Sequence, residues 1–299
     1  ILRGERFVWA TAGNSVSAGH GNMYAESFTV VLQQALQHVF SAVGLELVAR
    51  NYGMSAMGST PESAFCLQEI YGNDVDVLAW EFQLTDGRAN LFRMMYWLER
   101  AGRLPSSPVI MALTDTKEWV LGVLPQAEER GLGILYEKGL KAALDAVPDT
   151  FGKTAAEIED MPSHLRYFRC DRRIEKGDPG CDTNKFNRTI CSDRLYQVGW
   201  HPGWKWNALR SNLMAVSIEK LLLEAVEEIA NKSLLLDRKA MLQQLKEEEE
   251  KDLQNFRDTP YPDDVRKIIA TDDRNILDTL VKEPSICHTT LLPAEIRNL

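Results

Sequence analysis

Short apolar runs alternate with longer stretches of helical periodicity from residue 6 to residue 113. Phe7-Val8-Trp9-Ala10-Thr11 has the length and composition of a strand. Over residues 24–43, Phe28, Val31, Leu32, Ala35, Leu36 and Val39 recur at helical spacing and predict a helix with one buried stripe. Leu45-Glu46-Leu47-Val48-Ala49 predicts a second strand, which empties into Arg50-Asn51-Tyr52-Gly53. Pro61 and Glu62 read as the first turn of a helix carrying Ala64, Phe65, Leu67 and Ile70. A third strand over residues 75–80 is followed by a helix over residues 88–103, and a fourth strand covers residues 109–113.

This alternation suits βαβ units and a parallel sheet. Residues 126–147 read as mostly helical, and His164-Leu165-Arg166-Tyr167-Phe168 is the candidate fifth strand. A strongly amphipathic helix is expected over residues 207–230. The pattern then changes: residues 237–258 are charged and predict an exposed helix or a solvated linker. The expected organisation is an α/β domain over residues 1–235 and a charged extension over residues 236–299, leading on to a further domain. The expected fold is a three-layer α/β/α sandwich around a parallel sheet of about five strands, flavodoxin-like in its layers.

The formal net charge of −9 argues against a nucleic-acid partner, which needs a basic face. No apolar run is long enough for a transmembrane helix. Of the five cysteines, Cys170, Cys181 and Cys191 lie close together in a stretch rich in Asp, Arg, Gly and Pro. No CxxC pair is present and the histidines lack zinc-ligand spacing, so no metal site is expected. Disulfides among these three in an oxidising compartment are the reading preferred over reduced cytosolic thiols. Two glycosylation sequons, at Asn187 and Asn231, add slight weight to a secreted or endomembrane-lumenal protein.

The chemistry-bearing stretch is Ala12-Gly13-Asn14-Ser15-Val16-Ser17-Ala18-Gly19-His20-Gly21-Asn22, small residues between a strand and a helix. Open α/β sheets place ligands at such points. Three phosphate or nucleophile motifs fail here. The dinucleotide fingerprint needs a third glycine where Tyr24 stands, a Walker loop needs Gly-Lys-Ser/Thr, and Gly-x-Ser-x-Gly meets Ser17 at its last position.

Four blocks in order resemble those of the SGNH (GDSL-type) hydrolase superfamily. Gly13-Asn14-Ser15 resembles its Gly-Asp-Ser block, and Asn51-Tyr52-Gly53 its Asn-x-Gly block. Glu81-Phe82-Gln83-Leu84-Thr85-Asp86 stands where Gly-x-Asn-Asp is expected, and His201-Pro202-Gly203 resembles the histidine block before a C-terminal helix. The resemblance spans roughly residues 7–230 and implies a serine esterase without metal or organic cofactor. Ser15 is then the nucleophile and His201 the base. The oxyanion donors are the N–H groups of Ser15 and Gly53, with Thr85 in the place of the family's Asn. The family's acid position is occupied by Val198, which leaves Asp193, Asp86 and Glu81 as candidates for the acid, or a Ser–His dyad.

The implied substrates are acyl esters of a carbohydrate, lipid or small alcohol. An acyltransferase acting on glycans is the alternative enzyme, and a non-catalytic glycan-binding relic is the alternative of another class. An isolated serine like Ser15 more often caps a helix or tightens a turn, and an isolated His201 is more often a surface histidine. The four ordered blocks reverse that preference.

Overall fold

In the computed structural model, residues 6–20, 22–86, 91–113, 134–135, 204–233 and 237–258 are described. The elements run β1 (Arg6–Gly13), α1 (Phe28–Ala42), β2 (Glu46–Gly53), α2 (Leu67–Tyr71), β3 (Val77–Glu81) and α3 (Gln83–Asp86). They continue with α4 (Leu91–Ala101), β4 (Val109–Ala112), β5 (Ile134–Leu135), α5 (Trp204–Ser233) and α6 (Arg238–Asp258).

Side-chain parity along the strands decides the layering. Val8, Ala10 and Ala12 of β1 join Leu78 and Trp80 of β3 and Ile110 and Ala112 of β4 in one apolar cluster. Trp9, Val77, Ala79 and Met111 join a second cluster on the other face. A sheet buried on both faces needs helices on both, which gives the three-layer α/β/α sandwich. The first face is covered by Leu67, Ile70 and Tyr71 of α2 and by Met94, Met95, Trp97 and Leu98 of α4. The second is covered by Phe28, Leu32, Leu36 and Phe40 of α1 and by Met214, Ala215, Ile218 and Leu222 of α5. Each large side chain so buried contributes about 1.5–3 kcal/mol.

The strand order is β2-β1-β3-β4-β5, and every neighbouring pair is parallel. Right-handed crossovers in opposite directions from the centre put α1 and α4 on opposite faces. The order reverses between β1 and β3, so their carboxyl ends frame the crevice where doubly wound sheets bind ligands. Gly13 at the end of β1 is level with Gly53 on β2 and with Glu81 on β3.

Three expectations need correction. The helix predicted from Pro61 is broken, with a separate turn at Ser59–Ser63 and α2 beginning only at Leu67. Thr60 is extended (φ −135°, ψ 155°) because the ring of the following proline disfavours helical geometry. The first helix likewise divides at Ser27, which is extended, leaving a short 3-10 turn at Tyr24–Glu26. The region read as helical around residues 126–147 contains β5, which pairs with β4 through Ile110↔Ile134 and Met111↔Leu135. Two residues are too few to show a strand's alternation. The expected strand at residues 164–168 lies outside the described residues.

Candidate active site

Two glycines at the sheet edge let the loop after β1 fold back over it. A Cβ on Gly13 would overlap Ser17 Oγ and lie 2.9 Å from the Glu81 carbonyl oxygen. A Cβ on Gly53 would overlap the Ala18 amide and lie 2.6 Å from the Ser17 carbonyl carbon. Both positions require close backbone approach, which only glycine permits.

The loop then closes on itself. The N–H groups of Ala18, Gly19 and His20 donate to the carbonyls of Asn14, Val16 and Ser15 at 3.0, 3.1 and 3.0 Å. Asn14 Oδ1 accepts the Val16 N–H at 2.8 Å, an Asx turn across the candidate nucleophile. Gly19 completes the turn with φ +72°.

Ser15 and Ser17 stand in different environments on this loop. Ser15 is 6% exposed, whereas Ser17 is fully buried. The Ser17 hydroxyl donates to Glu81 Oε2 at 2.6 Å, and its carbonyl accepts Asn51 Nδ2 at 2.7 Å. Glu81, an odd-numbered residue of β3, faces the α5 side by the parity that sends Val77 and Ala79 there. Arg210 of α5 reaches it, with Nη1 3.9 Å from Glu81 Oε1 and its guanidinium carbon 4.7 Å from the Phe28 ring centroid. Glu81 and Arg210 are each about 5% exposed. A charge pair this buried is tolerable only when both members are engaged.

The other candidates are placed as follows. The Gly53 N–H donates to Asn51 Oδ1 at 2.9 Å. The Thr85 hydroxyl donates to the Phe82 carbonyl at 3.2 Å, within the turn that opens α3. Two of the three expected oxyanion donors therefore hold an internal acceptor. Asp86 Oδ1 accepts the Ser59 N–H at 2.8 Å, and burial pushes this carboxyl above its ordinary range against the opposing pull of Ser59 and Arg93. His201, Asp193, Cys170, Cys181 and Cys191 lie outside the described residues. α5 starts at Trp204, three residues past His201.

The structure thus brings Ser15, Gly53 and Glu81 to the carboxyl ends of three adjacent strands, and sets Thr85 and Asp86 on the short helix beyond β3. Sequence reasoning did not single out Ser17, Asn51 or Arg210 for a role. Arg210 had a legible signal: Asn207, Arg210, Ser211, Met214, Ala215, Ile218 and Leu222 are all buried along α5, at helical spacing. A cation inside such a stripe requires a buried partner.

Fold and loop together define a doubly wound α/β protein whose crevice holds a serine at the turn from β1. No protein-family model and no curated protein matches the chain. Two crystal structures of a two-domain esterase (CEX) active on acetylated mannans resemble it, one of them co-crystallised with mannopentaose. The complex gives a TM-score of 0.46 at 9% identity over 73% of this chain and 51% of that one. The other gives 0.45 at 10% identity over 73% and 50%. This chain spans about half the length of those proteins, and at these scores the likeness assigns no function.

Proposed function

We propose that the chain is a serine esterase in which Ser15 is the nucleophile and His201 the general base. The observation that carries this reading is the position of Ser15. It lies two residues past the end of β1, at the point where strand order reverses, on a loop braced by two obligatory glycines and an Asx turn. Both serines of that loop are buried, and the Ser17 hydroxyl donates to Glu81.

In this mechanism Ser15 Oγ bonds to the acyl carbon of the ester as its proton passes to His201. The carbonyl oxygen becomes an oxyanion held by the Ser15 N–H, together with the Gly53 N–H once it turns from Asn51. Each such donor is worth about 3 kcal/mol in the transition state. Collapse breaks the bond to the alcohol, which leaves with the proton from His201. Water then repeats the sequence to free the acid and regenerate Ser15. Acyl esters of a carbohydrate, lipid or small alcohol fit this scheme, and transfer to a sugar hydroxyl differs only in the second acceptor. The acid behind His201 stays open between Asp193 and Asp86; the third candidate, Glu81, has its two oxygens engaged by Ser17 and Arg210.

The reading extends to an oxidising compartment, secreted or endomembrane-lumenal. The clustered Cys170, Cys181 and Cys191 and the two sequons motivate it. No helix among the described residues is long and apolar enough to cross a membrane.

The rival reading is a glycan-binding module that kept the fold while its site decayed. It draws on the internal bonds of the Gly53 N–H and the Thr85 hydroxyl. Hydrolysis of p-nitrophenyl acetate by wild type, Ser15→Ala and His201→Ala separates them. The esterase reading expects turnover lost by at least about 1,000-fold in both variants. A well-folded wild type with no turnover on a panel of acetyl and longer acyl esters favours the relic, and full activity in His201→Ala removes His201 as base.

A further inference from the structure

Resting on the esterase reading, we propose that Ser17, Glu81 and Arg210 form a latch that positions the Ser15 loop and ties it to the helix entered from His201. The three side chains come from three separate elements: the loop after β1, the end of β3, and the buried stripe of α5. Each link is direct. Ser17 Oγ donates to Glu81 Oε2 at 2.6 Å, and Glu81 Oε1 lies 3.9 Å from Arg210 Nη1. Asn51 holds the same serine from the other side, through its carbonyl at 2.7 Å. The residue two places beyond Ser15 is therefore fixed through both its hydroxyl and its backbone.

Two further features point to positioning rather than simple core filling. The space for Ser17 Oγ exists only because residue 13 has no Cβ, so the loop is fitted around this hydroxyl. Arg210 is itself seated: its guanidinium lies over Phe28 at the start of α1, and the next residue, Ser211, donates to the Phe28 carbonyl at 2.7 Å. Displacement of α5 would move Arg210, then Glu81, then Ser17. Through that chain α5 is coupled to the loop bearing the proposed nucleophile, although the two are far apart in sequence. Ser17, Glu81 and Arg210 are positioning residues; none is assigned to bond with substrate.

The test combines kinetics with a measurement that needs no activity. In Ser17→Ala, kcat on p-nitrophenyl acetate should fall by about 10–100-fold with KM within about twofold of wild type, since a misplacement near 1 Å has that cost. Hydrogen exchange at the amides of Ala18, Gly19 and His20 should quicken by about tenfold or more as the loop loosens. Glu81→Gln, which keeps an acceptor for Ser17 and removes the charge facing Arg210, should lose less kcat when added to Ser17→Ala than when made alone. Wild-type kcat in Ser17→Ala, in an enzyme that wild type shows to be active, overturns the latch and leaves the esterase reading standing. If wild type turns over no ester, the esterase reading fails and exchange alone decides. Unchanged exchange in both Ser17→Ala and Glu81→Gln overturns the latch, and faster exchange sustains it as a loop anchor.

Discussion

Asn14 shows how one side chain can set the shape of a turn. Its Oδ1 accepts the Val16 N–H across Ser15, so Asn14→Ala leaves that turn open. The expected loss is about 1 kcal/mol in urea denaturation, and an unchanged midpoint would show the bond to be dispensable. Gly53→Ala is harsher, because its Cβ meets backbone rather than a movable side-chain tip. About 1–3 kcal/mol of stability should go, with loss of Ser15 reactivity as the loop shifts; a variant that labels and melts like wild type refutes the close approach. Asp86 gives a pH signature. Its folded carboxyl is raised above the ordinary 3.8 by burial, so its contribution to stability is complete below that value and is lost as pH rises through the folded one. Asp86→Asn keeps the acceptor for the Ser59 N–H and removes the titration. Its urea midpoint should gain on wild type as pH rises from about 4; parallel profiles would contradict the upward shift.

At the scale of elements, α5 docks on α1 by an apolar stripe with a polar end. Asn207 Nδ2 donates to the Glu26 carbonyl at 3.1 Å, and Arg210 and Ser211 continue that contact before Met214 and Ile218 take over. Arg210→Met removes a buried cation beside a buried carboxylate and should cost about 3 kcal/mol. A loss below 1 kcal/mol, about the value of an exposed pair, would place the interaction at the surface in solution. Elements with full-length patterns were legible before any coordinates: α1 from its stripe, and β1 to β4 from their apolar runs. Boundaries set by neighbours were not. β2 extends to Gly53 because β1 pairs with it all the way to Gly13, and the break before α2 reflects Thr60 preceding Pro61. β5 was missed because a two-residue strand carries no period. Ser15, Gly53 and Glu81 stood out through the ordered blocks, and they lie at or just past the ends of β1, β2 and β3. Ser17 and Arg210 were passed over because their partners come from elements distant in sequence.

For the whole molecule, sheet order determines where chemistry can occur. β1 sits between β2 and β3, and the reversal of order opens the sheet beside Ser15 rather than at an outer edge. α6 is mostly exposed, with Met241 buried on it, and we propose a domain boundary after residue 235. A protein ending there should retain cooperative thermal unfolding within about 3 °C of the full chain, a shift of roughly 1 kcal/mol; loss of the transition would make residues 236–299 part of the same folding unit. The central claim is that Ser15 is an activated nucleophile, and covalent labelling reads it most directly. Wild type treated with a fluorophosphonate and mapped by peptide mass spectrometry should carry one adduct, on Ser15, with none in a folded Ser15→Ala variant. A folded wild type that takes no label, or takes it on another residue, contradicts the account.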